Sequence, residues 1–554
     1  MTTIYSNGDI ITMLDENREA EALAVQNGKI LAVGSLAEVE NTAGSGAEKV
    51  DLGGKTLMPG FFDAHGHFAN ALQVVNWSNV SIPPVGPITC IADVIEVLQA
   101  HVKKFQPAKG EWIIAYGYDN SGLAEGRDIT HDDLDPYFPD NPVMLIHNSN
   151  HGAVFNAAGL EKAGVDENTP TPAGGFIARK PNSNEPAGLL MEMAFMHVFL
   201  SMPQPTQEEM LNNFPSAQEL YVSKGMTTIS EGATSLQDLA LLRLAAEQER
   251  LYIDLISLPL VTEIPNLVRE YFPKSDAKGM EVPDAAAEHF GFYTNRLKLG
   301  GVKFLFDGSP QGKTAFWTEP LLTGGPGGEE NWRGQPILPP ETINQAFQEL
   351  VDKGITIFSH ANGDAAIDML IDAAKRAGVK ASDDRRDVVI HSQFMRPEQL
   401  DDYVELGFTP SFFTVHAFFW GNVHVKNLGE ERAFFLSPMK SAAEKGLRFS
   451  NHNDFSVTPL DPMRMIWTAV KRQAREGNII GPDERVDVWQ ALKALTIDAA
   501  YQNFEEDSKG SLEVGKLADM VILDKNPLTV EIDAILDIEV LETFKEGVSI
   551  YKRE

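Results

Sequence analysis

Apolar residues in this chain come in short runs of four to ten, set between longer stretches with helical spacing. The runs Phe61–His65, Thr227–Glu231, Leu251–Ser257, Leu297–Phe306, Ile355–His360, Val388–His391, Phe408–Phe412 and Leu447–Asn451 are too short and too uniformly apolar for amphipathic helices, and read as buried strands. Between them Gln237–Gln248, Ile343–Lys353, Ala365–Arg376 and Pro397–Leu406 repeat apolar positions every three or four residues, as helices do. Strands alternating with helices predict a parallel sheet, and eight such units fit an α/β fold of the (β/α)₈ barrel type.

The two ends follow a different rhythm. Ala22–Val33 is a hairpin centred on Asn27-Gly28, and Val50–Met58 is a further strand. Gly510–Asp524 is a turn and a strand, followed by strand-like sequence from Glu539 to Tyr551. Neither end has enough apolar residues for a core alone. One small β-sandwich domain is expected from 1–58 plus 505–554, with the barrel occupying 59–504. Residues 68–224 stand between the first and second barrel strands and carry strands of their own, Trp112–Tyr118 and Val143–His147, with Gly/Pro/Asn-rich loops. An insertion there predicts a lid or a pocket wall.

Composition narrows the function classes. Asp plus Glu number 79 against 46 Lys plus Arg, a net charge of -33. Such a chain repels phosphate backbones and anionic membranes, so no nucleic acid and no membrane partner is expected. Cys90 is the only cysteine, which excludes an intramolecular disulfide and a cysteine metal cluster. The first residues lack a basic segment followed by an apolar one, and no run approaches the roughly 20 apolar residues of a membrane span. A cytoplasmic protein is expected.

The chemistry gathers at the predicted strand ends, where barrels of this type place their active sites. His65 and His67 follow the first strand in alternation, so both face one side and can grip one cation. Lys303 lies in the fourth strand, His360 ends the fifth, His391 the sixth, and Asp454 follows the eighth. A lone His-x-His is more often a surface or hydrogen-bonded pair than a metal site; four histidines, a lysine and an aspartate at successive strand ends would be a costly coincidence in a purely structural barrel.

With these motifs in order, the chain resembles the amidohydrolase superfamily, in its amidohydrolase-3 branch of YtcJ-like proteins and N-substituted formamide deformylases. The resemblance rests on Leu57-Met-Pro-Gly-Phe-Phe-Asp-Ala-His-Gly-His67, Gly301–Ser309, His360-Ala-Asn-Gly-Asp364, Ile390-His-Ser-Gln393 and Gly510–Asp524, and it runs along essentially the whole chain. It implies two divalent metal ions, zinc first among them, with His65, His67 and Asp454 on one and His360 and His391 on the other. Lys303, carboxylated to a carbamate, would bridge the two, because an ammonium cannot ligate a metal. It further implies attack of a metal-activated hydroxide on a carbonyl, with Asp454 moving the proton from water to the leaving nitrogen.

His416, near the end of the seventh strand, is the candidate oxyanion donor. His416, His151, Tyr118, Trp112 and His452 are the candidate substrate contacts. The family commonly has a small residue or serine before the strand-8 aspartate, where this chain reads Ser450-Asn-His-Asn-Asp454; His452 shares the strand parity of Asp454, so it could serve as a ligand or touch substrate. The expected activity is hydrolysis of a non-peptide C–N bond in a small apolar or aromatic amide, N-substituted formamide or cyclic amide, in a chain that forms a homodimer. The alternative is a mononuclear deaminase of a heterocycle, which usually carries a glutamate shortly after the strand-5 histidine; here His360 is followed by Ala-Asn-Gly-Asp.

Overall fold

The computed structural model describes residues 2–15, 20–148, 152–172, 175–202, 205–326 and 329–554. The chain divides into two compact units, one of Met1–Asn70 with Phe214–Glu554 and one of Ala71–Asn213. It is an α/β protein with mixed sheets.

In the larger unit, strand Phe61–Phe62 pairs in parallel with Met226–Thr234, which pairs with Asp254–Pro259, which pairs with Leu297–Leu299. A second parallel series runs Val302–Leu305, Ile357–Gly363, Val388–Phe394, Thr409–Phe412 and Ser450–Asn451. A parallel bridge between Leu260 and Lys303 joins the two series. At the far side Asp454 N donates to His65 O at 3.2 Å and His67 N to Phe455 O at 2.8 Å. Helices such as Leu236–Glu247, Pro340–Asp352, Asp364–Arg376 and Gln399–Leu406 separate the strands, each within a few residues of its expected span.

The expected strand Leu297–Phe306 is broken at Gly300-Gly301. A side chain at Gly301 would lie 2.3 Å from Thr356 O, so the backbones approach as only glycine permits. The chain therefore pairs with one neighbour before the break and with the other after it. The expected strand Phe61–His65 also departs from expectation: it ends at Phe62, and both histidines lie beyond it.

Strand Ala22–Gln26 pairs antiparallel with Lys29–Gly34, and Asn27 and Gly28 take φ of 52° and 78° as the tight turn demands. Another sheet joins strands from both ends of the chain: Thr56–Pro59 lies between Asp9–Ile10 and Met520–Leu523, followed by Val540–Lys545 and Val548–Lys552. Leu23, Leu57, Leu512, Met520 and Phe544 share one buried cluster there. The smaller unit carries a six-stranded sheet that includes Ile113–Tyr118 and Val143–His147. No helix among the described residues is long and apolar enough to cross a membrane.

Candidate metal centre

Three strands, carrying Lys303, His360 and His391, and the turns after two more, carrying His65, His67 and Asp454, bring one cluster together. His65 Nε2 lies 3.5 Å and His67 Nε2 3.1 Å from Asp454 Oδ1, and Lys303 Nζ lies 3.3 Å from His65 Nε2. Opposite them His391 Nε2 faces His360 Nδ1 at 2.9 Å, and the His65 and His391 rings are 5.7 Å apart. His65, Lys303, His391 and Asp454 are buried, while His67 and His360 keep partial access.

The cluster suits a cation that its own groups do not supply. Asp454 Oδ1 is buried and makes no hydrogen bond, although two imidazole nitrogens point towards it; His67 approaches closely but makes no aligned bond. Imidazole nitrogens converging on a carboxylate oxygen are a donor set that binds zinc and similar ions. Three ligand atoms, of His65, His67 and Asp454, lie within 4.8 Å of one another, as do those of His391, His452 and Asp454. Gly232 leaves the room: a Cβ there would come within 2.2 Å of His65 Cε1.

Electrostatics sort these groups into neutral and charged. Burial holds His65 and His391 well below the ordinary imidazole range and brings His360 to about 4 and His452 to about 3. Burial also brings the Lys303 ammonium down to about 7, against the pull of Asp454 and Glu231. For His67 burial is outweighed by Asp454 and Glu231, which raise it to about 10; for Asp454 burial is outweighed by contact with His67, which holds the carboxyl at about 2. In the metal-free protein a proton on His67 thus supplies the positive charge that the carboxylates require. His391 and Asp454 also hold left-handed backbones, with φ of 76° and 53°, a conformation that costs a non-glycine residue about 1–2 kcal/mol.

Asp307, four positions after Lys303, makes no ion pair with it among the described contacts. Asp307 accepts from the backbone N–H of Asn362, Gly363 and Phe316 at 2.8–2.9 Å. His416 is buried, with Nδ1 3.1 Å from His424 Nε2 and its ring against Phe413 and Trp420. His452 lies behind His391, with Nε2 3.1 Å from His391 Nδ1. Tyr118 and Trp112 belong to the smaller unit. The Tyr118 hydroxyl accepts from Ile129 N–H and contacts Asp128, and Trp112 packs near Phe155. His151 lies outside the described residues.

Two residues that sequence reasoning passed over stand beside the cluster. Glu231 is buried, accepts from Ala69 N at 2.7 Å and lies 3.9 Å from His67 Nδ1. Its signal was available, since an acid at a predicted strand end is a candidate by the rule that selected the histidines. Asn362 donates to Gly308 O at 2.9 Å and places its amide nitrogen 2.9 Å from His360 Nε2; it lies within the motif His360–Asp364 but was not singled out there.

Parallel strands and the turns after them that bring histidines, a lysine and an aspartate into one cluster define the class. The profile of the Amidohydrolase family matches residues 48–551, and the chain belongs to that family. It is 28% identical over 548 residues to the N-substituted formamide deformylase of Arthrobacter pascens, covering 99% of this chain and 98% of that protein. It is 26% identical over 577 residues to the putative amidohydrolase YtcJ of Bacillus subtilis (strain 168), covering both in full. Among solved structures it resembles an uncharacterized metal-dependent hydrolase from Pyrococcus furiosus, with a TM-score of 0.71, 24% identity, and 96% of this chain and 100% of that one covered.

Proposed function

We propose that this protein is a metal-dependent hydrolase that cleaves a non-peptide C–N bond of a small N-substituted formamide, amide or cyclic amide. The observation that carries the reading is the buried convergence of His65, His67 and Asp454, with His360 and His391 opposite and Lys303 between. The name of the Arthrobacter relative, an N-substituted formamide deformylase, gives the substrate class its direction. In this reading the two parallel series form one (β/α)₈ barrel over 59–504, with 68–224 as its insertion and 1–58 plus 505–554 as a β-sandwich.

His65, His67 and Asp454 would hold one divalent cation and His360 and His391 a second, zinc being the first choice. Such cations supply Lewis-acid activation of water and of the scissile carbonyl. Lys303, brought to about 7 by burial, offers the neutral amine that carbon dioxide requires, and its carbamate would bridge the two sites. Asp454 stays ionised at neutral pH, takes a proton from water and passes it to the leaving nitrogen. His416 gives a hydrogen bond to the developing oxyanion.

The deaminase alternative needs a free acid close to His360. Asp307, whose Oδ1 lies 3.7 Å from His360 Nε2, is engaged by three backbone amides. The test is amine release from a panel of N-formyl and N-acyl amines by zinc-loaded protein, beside ammonia release from amino-heterocycles. Amine release lost in Asp454→Asn supports the hydrolase; ammonia release alone refutes it.

A further inference from the structure

The helix His416–Leu428 carries two buried histidines, of which only the first has a part in the proposed chemistry. His416, Trp420 and His424 follow one another at four-residue intervals, and helical side chains lean towards the N-terminus, so His424 reaches back towards His416. His424 Nε2 lies 3.1 Å from His416 Nδ1, and the two rings are parallel to within 6°. The His416 ring sits 4.5 Å from Trp420 and 4.4 Å from Phe413, and Phe413 lies 5.7 Å from His391. A single ring thus separates His416 from the candidate metal centre, and neither histidine of the pair is among its proposed ligands.

The far side of His424 decides how the pair shares its protons. His424 Nδ1 is buried and has no hydrogen-bond partner, with the Phe394 ring 4.9 Å from the imidazole. Burial keeps both rings neutral, holding His416 well below the ordinary imidazole range and bringing His424 to about 3. A neutral imidazole has one N–H and one lone pair. A proton on His424 Nδ1 would be a buried donor without an acceptor, an orphan that folded proteins rarely keep. The His424 proton therefore sits on Nε2 and is donated to His416 Nδ1. His416 then carries its own proton on Nε2, which has no partner among the described contacts.

We infer that His424 is a positioning residue that fixes the ring and tautomer of His416, so that Nε2–H is the proton offered to substrate. It touches no proposed metal ligand among the described contacts and acts only through His416. The inference rests on the hydrolase reading for its purpose but not for its geometry. A donor held in place beforehand needs no reorientation when charge develops on the carbonyl oxygen.

The pair is tested in the full zinc-loaded chain with His416→Leu, His424→Leu and the two together, by amine release from an N-formyl amine that the wild type cleaves. His416→Leu is expected to lower kcat by about 10²–10³-fold, the range for one oxyanion donor, with little change in KM. His424→Leu is expected to lower kcat by about tenfold or more with zinc per chain unchanged. His424→Gln recovers most of that loss, because the glutamine Nε2 can donate from the place of the imidazole Nε2. The double variant is no slower than His416→Leu alone, since His424 then has nothing to act through. Losses that multiply in the double variant would make His424 a merely structural residue and overturn the inference.

Nitrogen-15 histidine spectra of the metal-free wild type give a second readout that needs neither a folded variant nor a substrate. They should show His416 and His424 both protonated on Nε2, with His416 Nδ1 accepting a hydrogen bond. A proton on Nδ1 of either residue would overturn the inference. A wild type that released no amine from any N-formyl or N-acyl amine would refute the hydrolase reading, while the spectra would still decide the pair.

Discussion

The larger unit buries two dense polar clusters at opposite ends of the same strands, and they are built on opposite principles. At the strand starts Asp254 accepts from Lys545 and Lys509, each at 2.6 Å, and from Arg296 at 3.0 Å. Glu505 meets Lys298 and Lys509 at 2.9 and 2.5 Å, Asp519 meets Lys545 at 2.6 Å, and Glu546 meets Arg296 at 2.9 Å. Four cations face four carboxylates, and every one has a partner of opposite charge. At the strand ends, imidazoles face one another and a buried Asp454 oxygen goes without a hydrogen bond. A cluster whose charges close on themselves holds a fold together. A cluster with donors to spare is arranged around something else.

Breaking each cluster should therefore damage different properties. Asp454→Asn is expected to lower turnover of a cleaved amide by roughly 10²–10⁴-fold, the range for removing a general acid–base group, while zinc stays largely bound. Substantial activity in that variant, measured as amine release, would remove Asp454 from its role. Asp254→Asn leaves Lys545 and Lys509 short of a buried partner and should cost about 3–5 kcal/mol in urea unfolding, with zinc per folded chain unchanged. Equal zinc loss there would mean that the two clusters are one.

A subtler break leaves every proposed ligand in place. Gly232→Ala drives a methyl group into His65 and should weaken zinc binding by about tenfold or more, read by chelator competition, with little change in unfolding of the metal-free protein.

Acid sharpens the contrast further in metal-free protein. His360 and His452, at about 4 and 3 when folded, bind protons first in the unfolded chain, so they remove stability as pH falls from about 6.5 towards 4. Asp254 and Glu505 are each pushed up by burial but held below their ordinary values by Lys509, with Lys545 on Asp254 and Lys298 on Glu505. Their contribution is present above about pH 4 and lost below it. His67, at about 10, runs the other way: its contribution is full below about pH 6.5 and fades as pH climbs to 10. Urea midpoints of the metal-free protein should fall in two acid stages; a flat midpoint between pH 6.5 and 4 would mean that the buried imidazoles are already charged.

The sequence made some of this legible and hid the rest. His65, His67, Lys303, His360, His391 and Asp454 could be picked out because a chemically distinctive residue at the end of an apolar run is conspicuous, and the structure brings all six together. His424 could not, since a histidine within a helix carries no mark of its own and acquires meaning only from the side chain it reaches. His452 was visible by its parity, yet parity could not say that it would lie behind His391. The break at Gly300-Gly301 was written in the glycine pair, but a long apolar run on either side concealed it.

The central claim is that the strand-end cluster is a two-cation centre joined through Lys303. Metal content per chain, measured by plasma mass spectrometry on wild type and Lys303→Ala purified side by side, tests it most directly. Two metals in the wild type falling to one or none in the variant is the predicted result. One metal or none in the wild type, unchanged by the substitution, would contradict it.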